Sequence, residues 1–522
     1  MAAEVSRGTA TATVATGDRP ASPTSTPAPT ATSAPLVVSA QEGVPAELVA
    51  AARAAVEQAP SAMVWGESEA ADVLLVLGEG EPLAEWIYAV VVPFATVADA
   101  IEMESLEASW RAGEGMQAIQ TAETASLLEH RWGAGSGELV AGQEALVDRL
   151  WAQRAAWSLV PFHQLTPSLK VLRSGGQSPL DPAFDPAAYP FTVRVGLAGE
   201  PQALARFRQL WSGPETNRVE ERLTRVAMTG VTALVRATAY QMEIRDTLYP
   251  GEEVRSVLRA ADIAHISNEV SFVPDCPEPH YIGPPSFCSQ PEYLALLEDI
   301  GIDVVELTGN HLNDWGRQYV PYTLDLYADA SMQTFGGGRN LEEAQAPLIV
   351  EHNGNQIAFV GCNPVGPPGG WATADAGGSL PCDYQALYAQ IRELSDQGHV
   401  VIATQQYWEG YHYKPTVAQV EAFHALAEAG AAAVSGSHGH HVQGFDFHNG
   451  TFIHYGLGNL FFDQMDRPGT RQTLVDTYII YDGRLMSVEL WTGLIEHYAR
   501  PRMMTPAERR QLLQLLFEVS GW

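Results

Sequence analysis

The chain has 522 residues, a length that predicts two or three domains rather than one. Hydrophobic residues make up 46% of it and charged residues 18%, so the composition is globular and can build a large core. The 62 acidic and 30 basic residues give a formal net charge of −32. This charge argues against binding to bare nucleic acid and against electrostatic docking on anionic lipid, because little positive surface is available.

Residues 1–35 predict a disordered stalk. They are rich in Thr, Pro and Ala, and such a segment cannot form a core. Polar sequence follows Met1, so no signal-peptide pattern is present. We expect an extracytoplasmic protein at the cell surface. It would be attached to the membrane by an N-terminal anchor, as in a lipoprotein, that this sequence does not contain. A cytosolic protein with a disordered tail is the alternative.

The four cysteines form two local pairs. Cys276 and Cys288 enclose a Pro-rich loop, and Cys362 and Cys382 enclose a Gly- and Pro-rich loop. Neither spacing is that of a zinc or redox motif. Each loop has few apolar side chains, so a disulfide would stabilise it where packing cannot. Two disulfides would indicate an oxidising compartment, whereas four reduced cysteines would fit the cytosol.

Residues 36–213 predict a first α/β domain. The segments LVVSA, DVLLVLGEG and IYAVVVPF indicate strands, and PAELVAAARAAVEQA indicates a helix between them. Through its order of elements and the stretch from VPF to LTPSLKVL, this part is weakly similar to a periplasmic solute-binding domain. No residue in it suggests a chemical role.

Residues 222–500 predict a second α/β domain, followed by a C-terminal helix in residues 501–522. Its βα units alternate with three segments that read as hairpins, at Asn353-Gly354, Asn449-Gly450 and Asp482-Gly483. Parallel strands alone do not need hairpins. Two mixed sheets packed face to face, with helices outside, would use both, and this predicts a four-layer αββα sandwich.

Three polar loops of this domain each follow a predicted strand. They are Ser267 to Glu269, Gly309 to Asp314 and Gly436 to His441. Ligands of α/β sheets bind beyond the carboxyl ends of strands, so these loops are the candidate site. Their Asn, Glu and His side chains suit zinc, manganese or iron. A lone histidine is more often structural, but three such loops together favour a site over simple turns.

The same loops resemble the motifs of the CapA-like capsule-synthesis family, which is linked to poly-γ-glutamate and has a calcineurin-like metallophosphatase fold. Gly309 to Gly316 resembles its Asn-Asn-His-x-x-Asp-x-Gly motif, and Gly436 to His440 resembles its Gly-x-His-Pro-His loop. Asn268-Glu269 and Tyr455 to Leu460 resemble two further segments. The resemblance implies metal ligands Glu269, Asn310, His438 and His440, catalytic residues His311, His438 and Asp314, and substrate-binding residues Asn268, Gln406, Glu409 and Asn459.

Two positions depart from the family pattern. Val231 stands where the family has a metal-binding Asp, and Gln406 stands where it has a His. A two-metal site needs bridging and terminal ligands, so these changes argue against a complete centre. One Mn, Zn or Fe ion, or none, is the expectation.

Two functions are therefore open. The first is capsule polymer synthesis, export or processing with a partly degraded metal-dependent hydrolase site. The second is a non-catalytic surface protein that binds or scaffolds through the remnant site. The expected partners are the capsule polymer or capsule-synthesis membrane proteins.

Overall fold

The computed structural model describes residues 34–67, 70–282 and 287–522. The predicted stalk therefore lies, except for its last two residues, outside the described residues. The first part of the chain contains the strands β1 Leu36–Ala40, β2 Met63–Trp65, β3 Val73–Leu77, β4 Glu81–Pro93, β5 Gln117–Thr121, β6 Glu138–Val140, β7 Ala156–Pro161, β8 Leu169–Leu172 and β9 Thr192–Gly199. Its helices are α1 Ala46–Glu57, α2 Met103–Ala112, α3 Ala122–Trp132, α4 Gln143–Ala152 and α5 Pro201–Leu210.

These strands form one mixed sheet in the order β2-β1-β3-β9-β4-β7-β5-β6, with β8 also paired to β4. The pairs β1–β3 and β5–β7 are parallel, whereas β9 is antiparallel to both β3 and β4. Strand β4 is buried almost throughout, from Leu83 to Pro93. Its run of branched apolar residues explains this, because a central strand covered on both faces needs no polar alternation.

The second part of the chain continues with β10 Leu223–Thr229, β11 Val231–Thr232, β12 Ile263–Asn268, β13 Val304–Glu306, β14 Gln333–Phe335, β15 Gly337–Gly338, β16 Leu348–His352, β17 Asn355–Cys362, β18 Gly378–Ser379, β19 Val400–Gly410, β20 Ala433–Gly439, β21 Phe445–His448, β22 Thr451–His454, β23 Asn459–Phe461, β24 Gln472–Tyr481, β25 Arg484–Glu496 and β26 Arg500–Met503. Its helices are α6 Arg236–Ile244, α7 Arg255–Leu258, α8 Leu294–Ile300, α9 Tyr319–Asp329, α10 Leu341–Gln345, α11 Tyr384–Asp396, α12 Val417–Glu428 and α13 Pro506–Val519.

Two sheets of this part pack face to face. One runs β14-β13-β12-β10-β24-β25-β26 and the other β16-β17-β19-β20-β22-β21. Residues of both, such as Met228 and Ile263 from the first sheet and Phe359 and Ile402 from the second, share one core. Helices α6 to α9 cover the outer face of the first sheet, and α11 and α12 cover the outer face of the second. The predicted α/β class and four-layer order are confirmed.

The three predicted hairpins are confirmed as β16–β17, β21–β22 and β24–β25. In each turn, both central residues have positive φ, for example 49° at Asn353 and 74° at Gly354. This is the geometry of a type I′ turn, which Asn-Gly and Asp-Gly adopt with little strain.

The two parts of the chain are in contact. Phe94 at the end of β4 packs edge-on against Phe445, Phe452 and Phe517 of the second part. Arg509 of α13 donates two hydrogen bonds to Asp99, both at 2.8 Å. The division into domains at residues 213 and 222 stays a prediction, and α13 begins after the strand β26 rather than at residue 501.

Both predicted disulfides are present, Cys276–Cys288 and Cys362–Cys382. Their formation fits the expectation of an oxidising compartment. None of the helices in the described residues has the length and apolar character needed to cross a membrane.

Candidate functional site

The three polar segments predicted as loops meet where the two packed sheets end. Two of the segments begin inside strands, because β12 extends to Asn268 and β20 extends to Gly439. Strands β12 and β13 are parallel neighbours in one sheet, and β19 and β20 are parallel neighbours in the other. The hydroxyls of Ser267 and Ser437 lie 2.9 Å apart and join the sheets directly below the loops. Gly309 allows its loop to approach Glu269, because a Cβ at this position would lie 2.4 Å from the Glu269 Cα. The strand ends therefore bring all three loops to one place.

One half of the site is held by an amide. The Gln406 Nε2 donates to Glu269 Oε1 at 2.8 Å and to Asn310 Oδ1 at 3.2 Å. Glu269 is 1% exposed and Gln406 is not exposed at all. A buried carboxylate needs such donors, because leaving it unpaired would be costly. We call Glu269, Asn310 and Gln406 the amide-bridged half.

The other half contains two anchored histidines. His438 donates through Nδ1 to the carbonyl of Tyr407 at 2.9 Å. His440 donates through Nδ1 to Asn459 Oδ1 at 2.8 Å, and Asn459 Nδ2 in turn donates to the Thr470 carbonyl. In the neutral form of each imidazole, this places the hydrogen on Nδ1 and a lone pair on Nε2.

Glu409 lies beside these histidines. Its Oε1 is 3.8 Å from His440 Nε2, which is too long for a hydrogen bond, and its side chain is 52% exposed. The imidazole rings of His438 and His440 are 5.5 Å apart between centroids. We call His438, His440 and Glu409 the histidine half.

The backbone around His438 is unusual. Its φ is 66°, in the left-handed region that a histidine rarely adopts. Just before it, Gly436 lies so close to the neighbouring strand that a Cβ would sit 1.9 Å from the Tyr455 carbonyl oxygen. Strain of this kind persists where the surroundings fix it and is frequent at functional sites.

His311 forms a dyad with Asp314. Its Nδ1 is 2.7 Å from Asp314 Oδ2, which also accepts the backbone N–H of Phe287 at 2.9 Å. Desolvation lowers the pKa of His311, but the hydrogen bond to Asp314 and the charges of Glu269 and Asp314 outweigh it, so the pKa is raised. Asp314 therefore contacts His311 within the same loop, and the roles that the resemblance implied for both residues stay predictions.

The histidine half has the opposite electrostatic balance. Burial lowers the pKa of His440, only partly offset by the charge of Glu269. The hydrogen bond from Tyr411 lowers the pKa of Glu409, with help from the charges of His440, His438 and His311. A neutral imidazole therefore stands beside an ionised carboxylate.

Two predicted substrate-binding residues use their side chains inside the protein. Asn268 Nδ2 donates to the Val270 carbonyl and to the Tyr327 hydroxyl. Asn459 holds His440, as described above. Both are fully buried, so here they position loops and histidine, and their predicted contact with substrate stays a prediction. The other predicted site residues come together: Glu269, Asn310, His311, Asp314, Gln406, Glu409, His438 and His440.

Sequence reasoning missed a basic residue at the edge of the site. Arg236 pairs with Asp463, and its guanidinium lies 4.8 Å from the centre of the Phe287 ring. That ring lies 4.4 Å from the imidazole of His311. No motif marked Arg236, which starts α6 with a φ of 45°.

The residues present fit a two-metal centre poorly. Within residues 34–67, 70–282 and 287–522, no three His, Cys, Asp or Glu side chains are arranged to hold a metal ion. Val231, fully buried next to Ser267 of β12, offers no donor atom. Glu269 and Asn310, the oxygen ligands that the resemblance implied, already accept hydrogen bonds from Gln406.

Residues 225–464 match the family model described as bacterial capsule synthesis protein PGA_cap. This part of the chain is similar to that family over 240 residues, a little under half of the chain. The match covers every loop of the site, from Glu269 to His440. The PGA biosynthesis protein CapA of Bacillus subtilis is 30% identical over 174 residues, which are 33% of this chain and 46% of that protein. The matched segment thus spans about half the length of this relative.

Solved structures resemble portions of the chain. An ABC-type phosphate transport receptor from Vibrio cholerae matches 34% of this chain and 93% of its own, with a TM-score of 0.29 and 11% identity. The NAD nucleotidase of Haemophilus influenzae matches 57% of this chain and 63% of its own, with a TM-score of 0.33 and 9% identity.

Proposed function

We propose that this protein works outside the cytoplasm in making or handling a capsule polymer of the poly-γ-glutamate class, and that it binds this polymer at the described site without a two-metal centre. The family of residues 225–464 and the name of the Bacillus relative support the polymer class. The two disulfides support the compartment. In this role, the protein would have capsule-synthesis membrane proteins as its partners.

The amide of Gln406 is the observation that carries the binding function. It supplies two N–H donors to the two oxygens that a metal ion would otherwise draw together. A neutral amide cannot activate water as a metal ion does. The amide-bridged half therefore forms one rigid side of the site. The side chains that contact the ligand are His311, His438, His440 and Glu409.

A metal-dependent hydrolase is the second candidate, and the anchored histidines favour it. Metal-binding histidines commonly donate their second nitrogen to a carbonyl or carboxamide oxygen, as His438 and His440 do. A single ion bound there, with Glu409, would act as a Lewis acid on an ester or amide. In that case His311, paired with Asp314, is the group that could give a proton to a leaving group.

Calorimetric titration with poly-γ-glutamate tests the binding proposal. We expect wild-type protein to bind in the presence of a chelator, and His438→Ala to weaken binding at least about tenfold, because it removes one side of the site. His448→Ala, at a surface position paired with Glu428, is the matched control and should bind normally. Equal binding by wild type and His438→Ala would move the polymer site elsewhere.

Metal analysis separates the two candidates. The proposal expects less than one equivalent of Mn, Zn or Fe after the protein is stripped and reloaded. One tightly held equivalent, together with hydrolysis that requires it, would favour the hydrolase instead.

A further inference from the structure

The histidine half of the site presents hydrogen-bond acceptors for which the described residues show no donor. In neutral His438 and His440 the Nε2 atoms carry lone pairs, because the one ring hydrogen lies on the Nδ1 that donates to the protein. Glu409 accepts from the Tyr411 hydroxyl and has further acceptor capacity. Its distance of 3.8 Å from His440 Nε2 leaves the two groups unbonded to each other.

Two nearby side chains, Gln406 and Arg236, donate hydrogen bonds to other groups of the protein. Both hydrogens of Gln406 Nε2 go to Glu269 and Asn310. The buried Oε1 of the same amide lacks a partner among the described residues, so this part of the site has one more acceptor rather than a donor. Arg236 is engaged by Asp463. A ligand that satisfies this half must therefore bring donors.

A primary ammonium group has the matching chemistry. It carries three N–H donors and a positive charge, and it accepts nothing. Two imidazole lone pairs and one carboxylate offer three acceptors, and the carboxylate supplies the opposite charge. The Glu409 side chain is half exposed, whereas His438 and His440 are buried. A chain end would therefore reach Glu409 from solvent and meet the His440 imidazole beside it.

We propose that the histidine half binds a primary ammonium group, and that this group is the free amino end of the glutamate polymer. The second clause rests on the proposed function, whereas the first rests only on the acceptor geometry. The protein would then hold the end of a chain rather than its interior, because interior residues of a polyamide have amide nitrogens without charge.

The test compares a short γ-linked glutamyl peptide that has a free amino end with the same peptide acetylated at that end. Both are titrated calorimetrically into the full chain in the presence of a chelator. We expect acetylation to weaken binding at least about tenfold, because it removes the charge and two donors. Equal affinity for the two peptides would overturn the ammonium site.

Variants locate the effect. Glu409→Gln keeps the size of the side chain and removes its charge, so it should weaken the free peptide about fivefold or more and reduce the difference in affinity between the free and the acetylated peptide. Glu351→Gln, at an exposed position of the edge strand β16, is the matched control. If Glu409→Gln and Glu351→Gln behave alike, the ammonium does not bind at the histidine half.

Two further outcomes separate this inference from the proposed function. Long polymer that binds equally well with a free or a blocked amino end would support polymer binding and overturn the ammonium site. Failure of every peptide and polymer to bind would overturn both. Zinc titrated into the protein without chelator should not prevent the free peptide from binding. If one equivalent of zinc displaces the peptide, the histidines bind a metal instead of an ammonium group.

Discussion

The two halves of the site differ in how their polar groups are satisfied. In the amide-bridged half, Glu269 and Asn310 find their donors inside the protein, on the single side chain of Gln406. In the histidine half, the Nδ1 atoms of His438 and His440 are bonded to protein oxygens, and the Nε2 atoms of the neutral rings are acceptors. The polar groups of the first half are satisfied within the protein, whereas those of the second half can accept hydrogen bonds from a ligand.

The difference between the two halves shows how one residue, Gln406, can replace a metal ion within a site. Three oxygen or nitrogen ligands without an ion would repel one another, and a cation normally relieves this. Here an amide takes that place between Glu269 and Asn310, so the fold can keep the loops without the ion. The unpaired acceptors that remain are those from which we infer ligand binding.

Removing the amide should have the largest effect. Gln406→Leu leaves the buried Glu269 carboxylate without that donor, and we expect the free energy of unfolding to fall by about 2–4 kcal/mol. Urea unfolding measures it. Gln397→Leu, at an exposed position after α11, is the control and should change stability by less than about 0.5 kcal/mol. Similar values for the two variants would mean that the amide bridge does not hold the site together.

Restoring metal ligands should allow the amide-bridged half to bind a metal ion. The double variant Val231→Asp, Gln406→His replaces an apolar side chain and an amide by two donors, and removes the bridge that occupies Glu269 and Asn310. We expect it to be less stable than wild type with chelator and to gain about 2–3 kcal/mol when manganese is present at about a hundred times its dissociation constant. Wild type should gain little. Equal responses to manganese would show that Gln406 does not decide metal binding.

The His311–Asp314 dyad should give the smallest effect, and a pH-dependent one. A histidine whose pKa is raised on folding contributes stability that is fully present below its unfolded pKa, about 6.5, and is lost as pH rises through the raised value. Asp314→Asn should therefore cost more stability at pH 6 than at pH 9. The expected difference is under about 1 kcal/mol, as for other partly exposed ion pairs.

Nuclear magnetic resonance gives the direct check on the dyad. In Asp314→Asn, the pKa of His311 should fall below its wild-type value. An unchanged pKa would show that Asp314 does not hold the proton on His311.

The sequence predicted the position of the site better than its interior. Local signals were enough for the hairpins, because Asn353-Gly354 and the two other turn pairs need only their own backbone geometry. Loops after parallel strands were enough to bring Glu269, Asn310 and His440 to one edge. The resemblance flagged Gln406 as a departure, yet its hydrogen bond to Glu269 joins residues 137 positions apart, and no local pattern encodes it.

Side-chain direction was also beyond the sequence. Asn268 and Asn459 belong to site motifs, but both turn to partners inside the protein, and a one-dimensional pattern does not distinguish the two directions. The same holds for Phe94, which reads as the end of a strand of the first part and packs into a cluster of aromatic rings of the second.

A crystal structure of the wild-type protein soaked with manganese, with anomalous scattering recorded, shows whether the Gln406 amide or an ion lies between Glu269 and Asn310. We expect the amide there, and no anomalous peak within bonding distance of those two residues. A peak of full occupancy there, with the Gln406 side chain turned away, would contradict this expectation.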